Sequence, residues 1–281
     1  MNRVLVPVLR GQSVASILSI GDAVARHCPS RGVVLSLVEI PARWSGLVTS
    51  AVVRSRELLR WIAASDYELD TVDQERLSVQ SRYTSDPAAS IREVLLEAQC
   101  DVVVAEWPQP SAPRRHRLEA ILQSVASNFQ LNLVVARPDP AAKAGGIRPK
   151  SVLVPLRGGA NAWLALTVAV ALASHADARL TLLHVYDRSH HPEHRKHEEA
   201  AFHELSKAAA PASPRIVELN SRRPAELVLR AGMDYDAVVL GAHANPAHAG
   251  VLVGTALSSA LDQLSKTVIV ARAASGLVDA A

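Results

Sequence analysis

The chain has 281 residues, of which 49% are hydrophobic and 20% are charged, and its formal net charge is +3. This length favours two domains, and the composition is that of a globular protein, which excludes a largely disordered chain. The basic residues are scattered among acidic ones, and this pattern argues against nucleic acid as a partner.

Cysteine usage and the start of the chain predict a cytoplasmic location. Cys28 and Cys100 fit no metal-binding spacing and are typical of buried thiols in a reducing compartment. The first residues run directly into a strand pattern, with no apolar segment of signal-peptide length. The most apolar stretch, Trp163 to Ala173, is too short to span a bilayer, so we expect no membrane insertion.

The first half of the chain contains short apolar runs that alternate with helical patterns. It opens with the strand pattern Val4–Pro7, continues with Leu35–Ile40 and closes with a fifth strand at Leu131–Arg137. An extra helical stretch is predicted over about Val48–Ala64. We place a domain over residues 1–138, followed by a linker, Pro138–Pro149, that is rich in Pro, Ala and Gly.

The second half repeats the order of the first. Val4–Pro7 recurs as Val152–Pro155, and Leu35–Ile40 recurs as Leu180–Val185. The longest match aligns Asp101–Arg137 with Asp236–Arg272 without a gap. Three matches in the same order indicate an internal repeat, and such repeats decide the architecture of a chain.

The second copy, over residues 150–274, predicts five strands joined by helices. The predicted strands are Ser151–Leu156, Arg179–Tyr186, Arg215–Leu219, Asp236–Gly241 and Thr267–Arg272. Helices are predicted after Asn161, which is a candidate cap, over about His194–Ala209, after Pro224, and over about Val251–Leu264. Near-continuous apolar strands, each followed by a helix, imply a parallel sheet covered on both faces. The predicted fold class is therefore α/β, with two tandem doubly wound parallel sheets of five strands.

The sequence also predicts where a ligand would bind. In a doubly wound sheet the ligand lies beyond the carboxyl ends of the strands, where the strand order reverses. For the order 3-2-1-4-5 this point lies between the first and fourth strands, beside the loops 157–160 and 241–255. The second loop is long, consists of small residues and opens a helix with Gly254–Thr255. Such a loop predicts a phosphate site, because small residues expose backbone N–H groups and a helix amino terminus favours anions.

At this loop the chain resembles the universal stress protein family, in its tandem two-domain form. Nucleotide-binding members of that family have Gly, two residues, Gly, nine residues, and then Gly with Ser or Thr after the fourth strand. Gly241, Ala244, Gly254 and Thr255 fall at these spacings, with Ala244 in place of the second glycine. The strand patterns of both halves share the resemblance, which implies the adenine nucleotide alpha hydrolase-like fold.

The resemblance further implies that the second half binds ATP or AMP. Phosphates and ribose would lie at the glycine-type loop, and the backbone near the first and second strands would flank the adenine. The residues implied to contact nucleotide are Pro155, Arg157, Val185, Gly241, Ala244, Gly254 and Thr255. Arg157 stands close to where the family has an aspartate, and Arg10 occupies the same place in the first copy. Either arginine contacts phosphate or is solvated.

The first copy lacks the glycine-type loop. The ungapped alignment places Glu106 opposite Gly241, Gln109 opposite Ala244, and Glu119 opposite Gly254. Three prolines in the first-copy loop remove N–H donors, so a phosphate nest is hard to form there. We therefore predict that the N-terminal domain is a degenerate copy that serves as a scaffold, and that only the C-terminal domain binds nucleotide.

The sequence predicts no catalytic residues and no metal site. The histidines of residues 190–197 are interspersed with Arg195 and Lys196, which would repel a cation, so this segment is interpreted as a solvated helix start. His184, on a strand, is predicted to be a satisfied, partly buried residue rather than a general base. We expect a protein that is not an enzyme, although slow ATP hydrolysis stays open because phosphoryl transfer depends mainly on positioning and electrostatics.

The sequence favours two functions over a third, an enzyme of the related adenine nucleotide hydrolase fold group, which is the weakest because a strict glycine-rich loop after the first strand is absent. The first is a nucleotide-responsive stress protein that acts on an unknown protein partner, with a homodimer as a possible assembly. The alternative is an interaction module that binds no nucleotide, or a cytosolic regulatory subunit, because related tandem domains also form the cytosolic tails of transporters. The sequence identifies neither the partner, nor the physiological ligand, nor the stress signal.

Overall fold

The chain forms two compact units, Met1–Ile147 and Arg148–Ala281. In the computed structural model the described residues are 1–9, 14–29, 31–39, 76–107, 120–125, 131–139, 146–187, 191–242 and 264–274. The predicted helices at about 48–64 and 251–264 lie outside these ranges, apart from Leu264. Within the described ranges, no helix is both long and apolar enough to cross a lipid bilayer.

The N-terminal unit is built on a parallel sheet of five strands. The strands are β1 (Val4–Leu9), β2 (Gly32–Glu39), β3 (Leu77–Thr84), β4 (Val102–Glu106) and β5 (Asn132–Arg137). Helices α1 (Val14–Ala25) and α2 (Pro87–Glu97) pack against them, and residues 120–125 are also helical. The strand order is β3-β2-β1-β4-β5, and every pair is parallel.

The C-terminal unit repeats this topology. Its strands are β6 (Ser151–Pro155), β7 (Arg179–Asp187), β8 (Arg215–Ser221), β9 (Ala237–Gly241) and β10 (Thr267–Arg272). Its helices are α3 (Ala160–Ala176), α4 (Pro192–Ala209) and α5 (Pro224–Gly232), and a short 3-10 turn, Ala210–Ala212, follows α4. The order β8-β7-β6-β9-β10, again wholly parallel, confirms the predicted order 3-2-1-4-5 in both copies.

Burial explains why the central strands read as continuous apolar runs. All six residues of β1 and all five of β4 are buried, as expected for strands that are covered on both faces. Helix α1 is buried along its whole length. The edge strand β8 differs, because none of its residues is fully buried and Ile216 is 50% exposed.

One aspartate in each unit secures the amino edge of the sheet. Asp101, just before β4, accepts hydrogen bonds from the backbone N–H groups of Asn2 at 2.8 Å and Arg3 at 2.9 Å. Asp236, just before β9, accepts from the N–H groups of Lys150 at 2.9 Å and Ser151 at 3.0 Å. The two aspartates are partners in the ungapped alignment, so the repeat preserves a bond between the first and fourth strands of each copy.

The end of the predicted linker packs on the N-terminal unit. Ile147 is 4% exposed, and its backbone N–H donates to Ser19 Oγ on α1 at 2.9 Å. Gly146 has a φ of +85° there, and a Cβ at this position would lie 3.3 Å from the Ala15 carbonyl oxygen. The last residues of the segment predicted as a linker therefore belong to the packed structure.

Candidate functional site

The carboxyl ends of the central strands separate in each unit, and this opens a crevice. The ladder between β6 and β9 has its last pair at Leu153 and Val238. The flanking ladders run further, to Pro155 between β6 and β7 and to Gly241 between β9 and β10. The crevice therefore lies at the point where the strand order reverses, which is where ligands bind in doubly wound sheets.

Three of the predicted nucleotide contacts lie at this edge. Pro155 ends β6, Gly241 ends β9, and Val185 lies in the carboxyl half of the neighbouring β7. Pro155 is half-buried, and the side chain of Val185 is buried, with 5% exposure. Ala244, Gly254 and Thr255 lie outside the described residues, as do Arg10, Gln109 and Glu119 of the first copy.

Gly241 lies in close contact with the start of helix α3. A Cβ added at this position would lie 3.0 Å from the carbonyl oxygen of Asn161 and 3.1 Å from its carbonyl carbon. Both atoms belong to the backbone of the first turn of α3, which cannot move as easily as a side chain. The glycine therefore permits the close approach of β9 to α3 that positions the start of the loop 241–255.

Asn161 links the ends of two strands to helix α3, a role that the sequence did not reveal. Its Nδ2 donates to the carbonyl oxygen of Ala242 at 2.7 Å, and its Oδ1 accepts from the N–H of Ala273 at 2.7 Å. The prediction that Asn161 caps α3 is wrong, because the helix begins at Ala160 after Gly159. The side chain instead holds the chain segments that leave β9 and β10.

The amino terminus of α3 faces the crevice without a side-chain cap. Gly158 has a φ of +116° and Gly159 a φ of +81°, conformations that favour glycine. No side chain caps the helix at Gly159. Orphan N–H groups and the helix dipole make such an end favourable for an anion.

Arg157 is directed to helix α4. Its Nη2 donates to Glu198 Oε1 at 2.8 Å, and the Arg157 side chain remains 56% exposed. The sequence left two states of Arg157 open, a phosphate contact and a solvated side chain. The structure shows a third state, the ion pair with Glu198.

His184 is buried more deeply than predicted. It has no exposed surface, and its Nδ1 lies 2.7 Å from the carbonyl oxygen of Leu156. A carbonyl can only accept, so Nδ1 carries the proton, and Nε2 has no hydrogen-bond partner. The prediction of a satisfied, partly buried histidine was wrong in both respects, since the ring is fully buried and half-satisfied.

The histidine-rich start of α4 is a solvent-exposed helix end. His191 precedes the helix, and its Nδ1 accepts from the backbone N–H of Glu193 at 3.5 Å. His197 Nδ1 lies 3.2 Å from the carbonyl oxygen of Glu193. Across the part of the chain that the structure describes, no group of three or more His, Cys, Asp or Glu side chains is arranged to hold a metal ion.

Comparison with known proteins decides the family of the C-terminal unit. The model of the universal stress protein family matches residues 149–272, which include β6 to β10. These residues form a universal stress protein domain. No curated protein matches the sequence.

Solved structures extend the likeness in fold to the whole chain. The cytoplasmic domain of a prokaryotic cation chloride cotransporter is 14% identical with a TM-score of 0.62, over 96% of this chain and 95% of that one. A universal stress protein from Archaeoglobus fulgidus is 13% identical with a TM-score of 0.58, over 98% and 97% of the two chains. A functionally unknown protein from Pseudomonas aeruginosa is 15% identical with a TM-score of 0.56, over 97% and 93%. At these identities the likeness shows the fold, including the fold of the N-terminal unit.

The universal stress protein domain and the N-terminal unit differ at the crevice. The N–H of Ala242 donates to the carbonyl oxygen of Ala271 at 2.8 Å, and the N–H of Trp107 donates to the carbonyl oxygen of Ala136 at 2.7 Å, so the backbones correspond. The N-terminal unit carries Glu106 and Trp107 where the universal stress protein domain carries Gly241 and Ala242. Both large side chains are 8% exposed, so they are packed inside the unit at this edge.

Proposed function

We propose that the chain is a cytoplasmic regulatory protein of the universal stress type, which binds ATP or AMP in its C-terminal domain. The observation that carries the proposal is the contrast at the carboxyl edge of the two sheets. In the C-terminal domain, small residues and an uncapped helix end border a crevice at the switch point. In the N-terminal unit, Glu106 and Trp107 occupy the corresponding positions.

The proposed nucleotide lies with its adenine between the ends of β6 and β7. The backbone near Pro155 and Val185 flanks the base, and Gly241 and Ala244 lie near the ribose and phosphates. Gly254 and Thr255 receive the phosphates at the start of the helix that the sequence predicts there, where N–H donors and the helix dipole favour an anion. Bound nucleotide alters the binding of a protein partner, and the N-terminal unit serves as scaffold and partner surface.

The proposed protein is a binder rather than a catalyst. Arg157 stands close to where the resemblance expects an aspartate, so that position offers no carboxylate to a metal ion or a water molecule, and its guanidinium is paired with Glu198 at 2.8 Å. We expect ATP turnover to be slow or absent. Hydrolysis at a rate that exceeds release of bound nucleotide would contradict this part of the proposal.

A titration of the intact chain tests nucleotide binding. Isothermal calorimetry with ATP and with AMP is expected to give one site per chain, and ligand at a hundredfold excess over Kd raises stability by about 2.7 kcal/mol. Gly254→Glu, which copies the first repeat, is expected to abolish binding. Its control, Ala208→Glu, adds the same charge on the exposed side of α4 and is expected to leave binding unchanged.

Two outcomes would contradict the proposal. Two equivalent sites would show that the N-terminal unit also binds, and unchanged affinity in Gly254→Glu would show that the phosphates lie elsewhere. If neither nucleotide binds, the result favours a second candidate function, which is a regulatory interaction module that binds no nucleotide. The likeness in fold to the cytoplasmic domain of a cation chloride cotransporter, over nearly the whole of both chains, is the observation that supports this candidate.

A further inference from the structure

A groove of about 340 Å³ lies in the C-terminal domain, where α4 covers β7 and β8. It is separate from the crevice, because β7 lies between β8 and β6 in the sheet. The residues that line the groove are Tyr186, Glu199, Phe202, His203, Ser206, Ile216 and Glu218. The volume falls in the range of small-molecule sites, although it is at the lower end of about 300–1,000 Å³.

Two aromatic side chains that line this groove, Tyr186 and Phe202, pack on the buried ring of His184. Phe202 stacks on His184 with ring centroids 4.8 Å apart and planes at 24°. Tyr186 meets the same histidine edge-on, with centroids 4.2 Å apart and planes at 82°. His184 is wholly buried and Phe202 is 4% exposed, whereas Tyr186 is half-buried, so Tyr186 is the ring that a ligand can reach.

One ring nitrogen of His184, behind the groove, has no hydrogen-bond partner. Nδ1 is bonded to the carbonyl oxygen of Leu156, which follows β6 on one side of β7. Glu218 of β8 is the register partner of His184, and Nε2 has no hydrogen-bond partner. A fully buried acceptor thus lies unused behind the groove.

The groove is negatively charged and contains no arginine or lysine. The Tyr186 hydroxyl donates to Glu218, and burial together with the charges of Glu218 and Glu199 raises the pKa of Tyr186 above its ordinary value. Both carboxylates therefore lie close to the phenol. Among the described residues, neither Glu199 nor Glu218 forms an ion pair with a basic side chain.

We propose that this groove binds a guanidinium group. A guanidinium ion is flat, so it stacks on the half-buried ring of Tyr186, and its N–H groups form a fork that matches a carboxylate. Glu218 and Glu199 supply the two negative charges, and the half-exposed Ile216 contacts the aliphatic arm behind the charged head. A compact, strongly hydrated ammonium ion has neither this flat face nor the fork of N–H groups.

The proposal does not depend on nucleotide binding, and methyl NMR of the intact chain tests it directly. The probes are agmatine, a free guanidinium compound, and N-acetylarginine methylamide, which presents the same group as a protein side chain does. Both are titrated at constant ionic strength into protein labelled at isoleucine δ1 methyls. The Ile216 methyl is expected to shift saturably, while Ile269, fully buried in β10, stays unchanged and reports an intact fold. Tighter binding of agmatine indicates a free metabolite, and tighter binding of the arginine derivative indicates a protein-borne side chain.

Paired variants decide whether the carboxylates are responsible. Glu199→Gln combined with Glu218→Gln is expected to weaken binding about tenfold or more, since charge-assisted bonds to both groups are lost. The matched control, Glu204→Gln with Glu226→Gln, removes two exposed carboxylates outside the groove and is expected to leave the affinity within about twofold. A wild-type chain whose Ile216 methyl shows no saturable shift with either probe would overturn the proposal. So would a double variant in the groove that binds as tightly as the control.

Discussion

The bridge made by Asn161 can be tested by removing its side chain. Asn161→Ala deletes the donor to Ala242 and the acceptor for Ala273, both at 2.7 Å. Each bond is worth about 0.5–1.5 kcal/mol net, so together they contribute about 1–3 kcal/mol. Alanine is the better helix former by up to about 0.7 kcal/mol, and this gain is subtracted because Asn161 lies in the first turn of α3. We expect a net loss of about 0.5–2.5 kcal/mol in the free energy of unfolding of the C-terminal domain.

The assay must separate the two units of one chain. The chain has four tryptophans, of which Trp163 is the one in the C-terminal unit. Urea unfolding of protein labelled with 5-fluorotryptophan, followed by fluorine NMR, therefore reports the C-terminal unit through a single resonance. Asn220→Ala serves as the control, because Asn220 is exposed on β8 and its loss is expected to cost less than about 0.5 kcal/mol.

Amide exchange gives a second, position-specific readout. In Asn161→Ala the N–H of Ala273 loses its acceptor and is expected to exchange faster. The N–H of Ala242 donates to Ala271 and is expected to keep its protection. Unchanged protection at Ala273, or a stability loss no larger than that of Asn220→Ala, would refute the reasoning that this side chain holds the two strand ends.

Two further substitutions test the packing and the amino edge. Gly241→Ala is expected to lower the free energy of unfolding by about 1–3 kcal/mol in the same urea assay, because its Cβ would lie 3.0 Å from the backbone of Asn161. A loss near zero would show that β9 and α3 separate easily. Asp236→Asn is expected to destabilise the domain at neutral pH. Burial raises the pKa of Asp236, but the hydrogen bonds from Lys150 and Ser151 outweigh the effect of burial and hold the pKa below its ordinary value. An aspartate whose pKa is lower in the folded state contributes stability above its unfolded pKa of about 3.9, and this contribution is lost as the pH falls through the folded pKa. The stability deficit of Asp236→Asn should therefore shrink below about pH 4. A constant deficit between pH 7 and pH 3 would contradict this account.

The architecture was predictable because local and global signals agree. Near-continuous apolar runs such as β1 and β9 identify buried parallel strands, and the repeat supplies the same pattern twice. Strand and helix ends were less accurate. Helix α3 begins at Ala160 because Gly158 and Gly159 both adopt positive φ, and the spacing of apolar residues carries no information on that conformation.

The candidate site was predictable in position but not in its internal contacts. The switch-point rule located Pro155, Val185 and Gly241 at one edge, since it depends on strand order alone. Asn161 was missed because its two partners lie 81 and 112 residues away in the chain. The partner of Arg157 lies 41 residues away, on a helix whose orientation the sequence does not specify. Side-chain pairs at such separations follow from packing, which no local pattern encodes.

The aspartates Asp101 and Asp236 have a consequence for building chimaeras of the two halves. Each secures the amino edge of its sheet, whereas the loops that differ between the copies leave the opposite edge. The loop 241–255 aligns without a gap to residues 106–120, so it can be transplanted into the N-terminal unit at unchanged length. Such a graft leaves the carboxylate that joins β1 to β4 untouched. The N-terminal unit is therefore a natural recipient for a second, engineered binding loop, and α1 would need to accommodate the exchange of Glu106 for glycine.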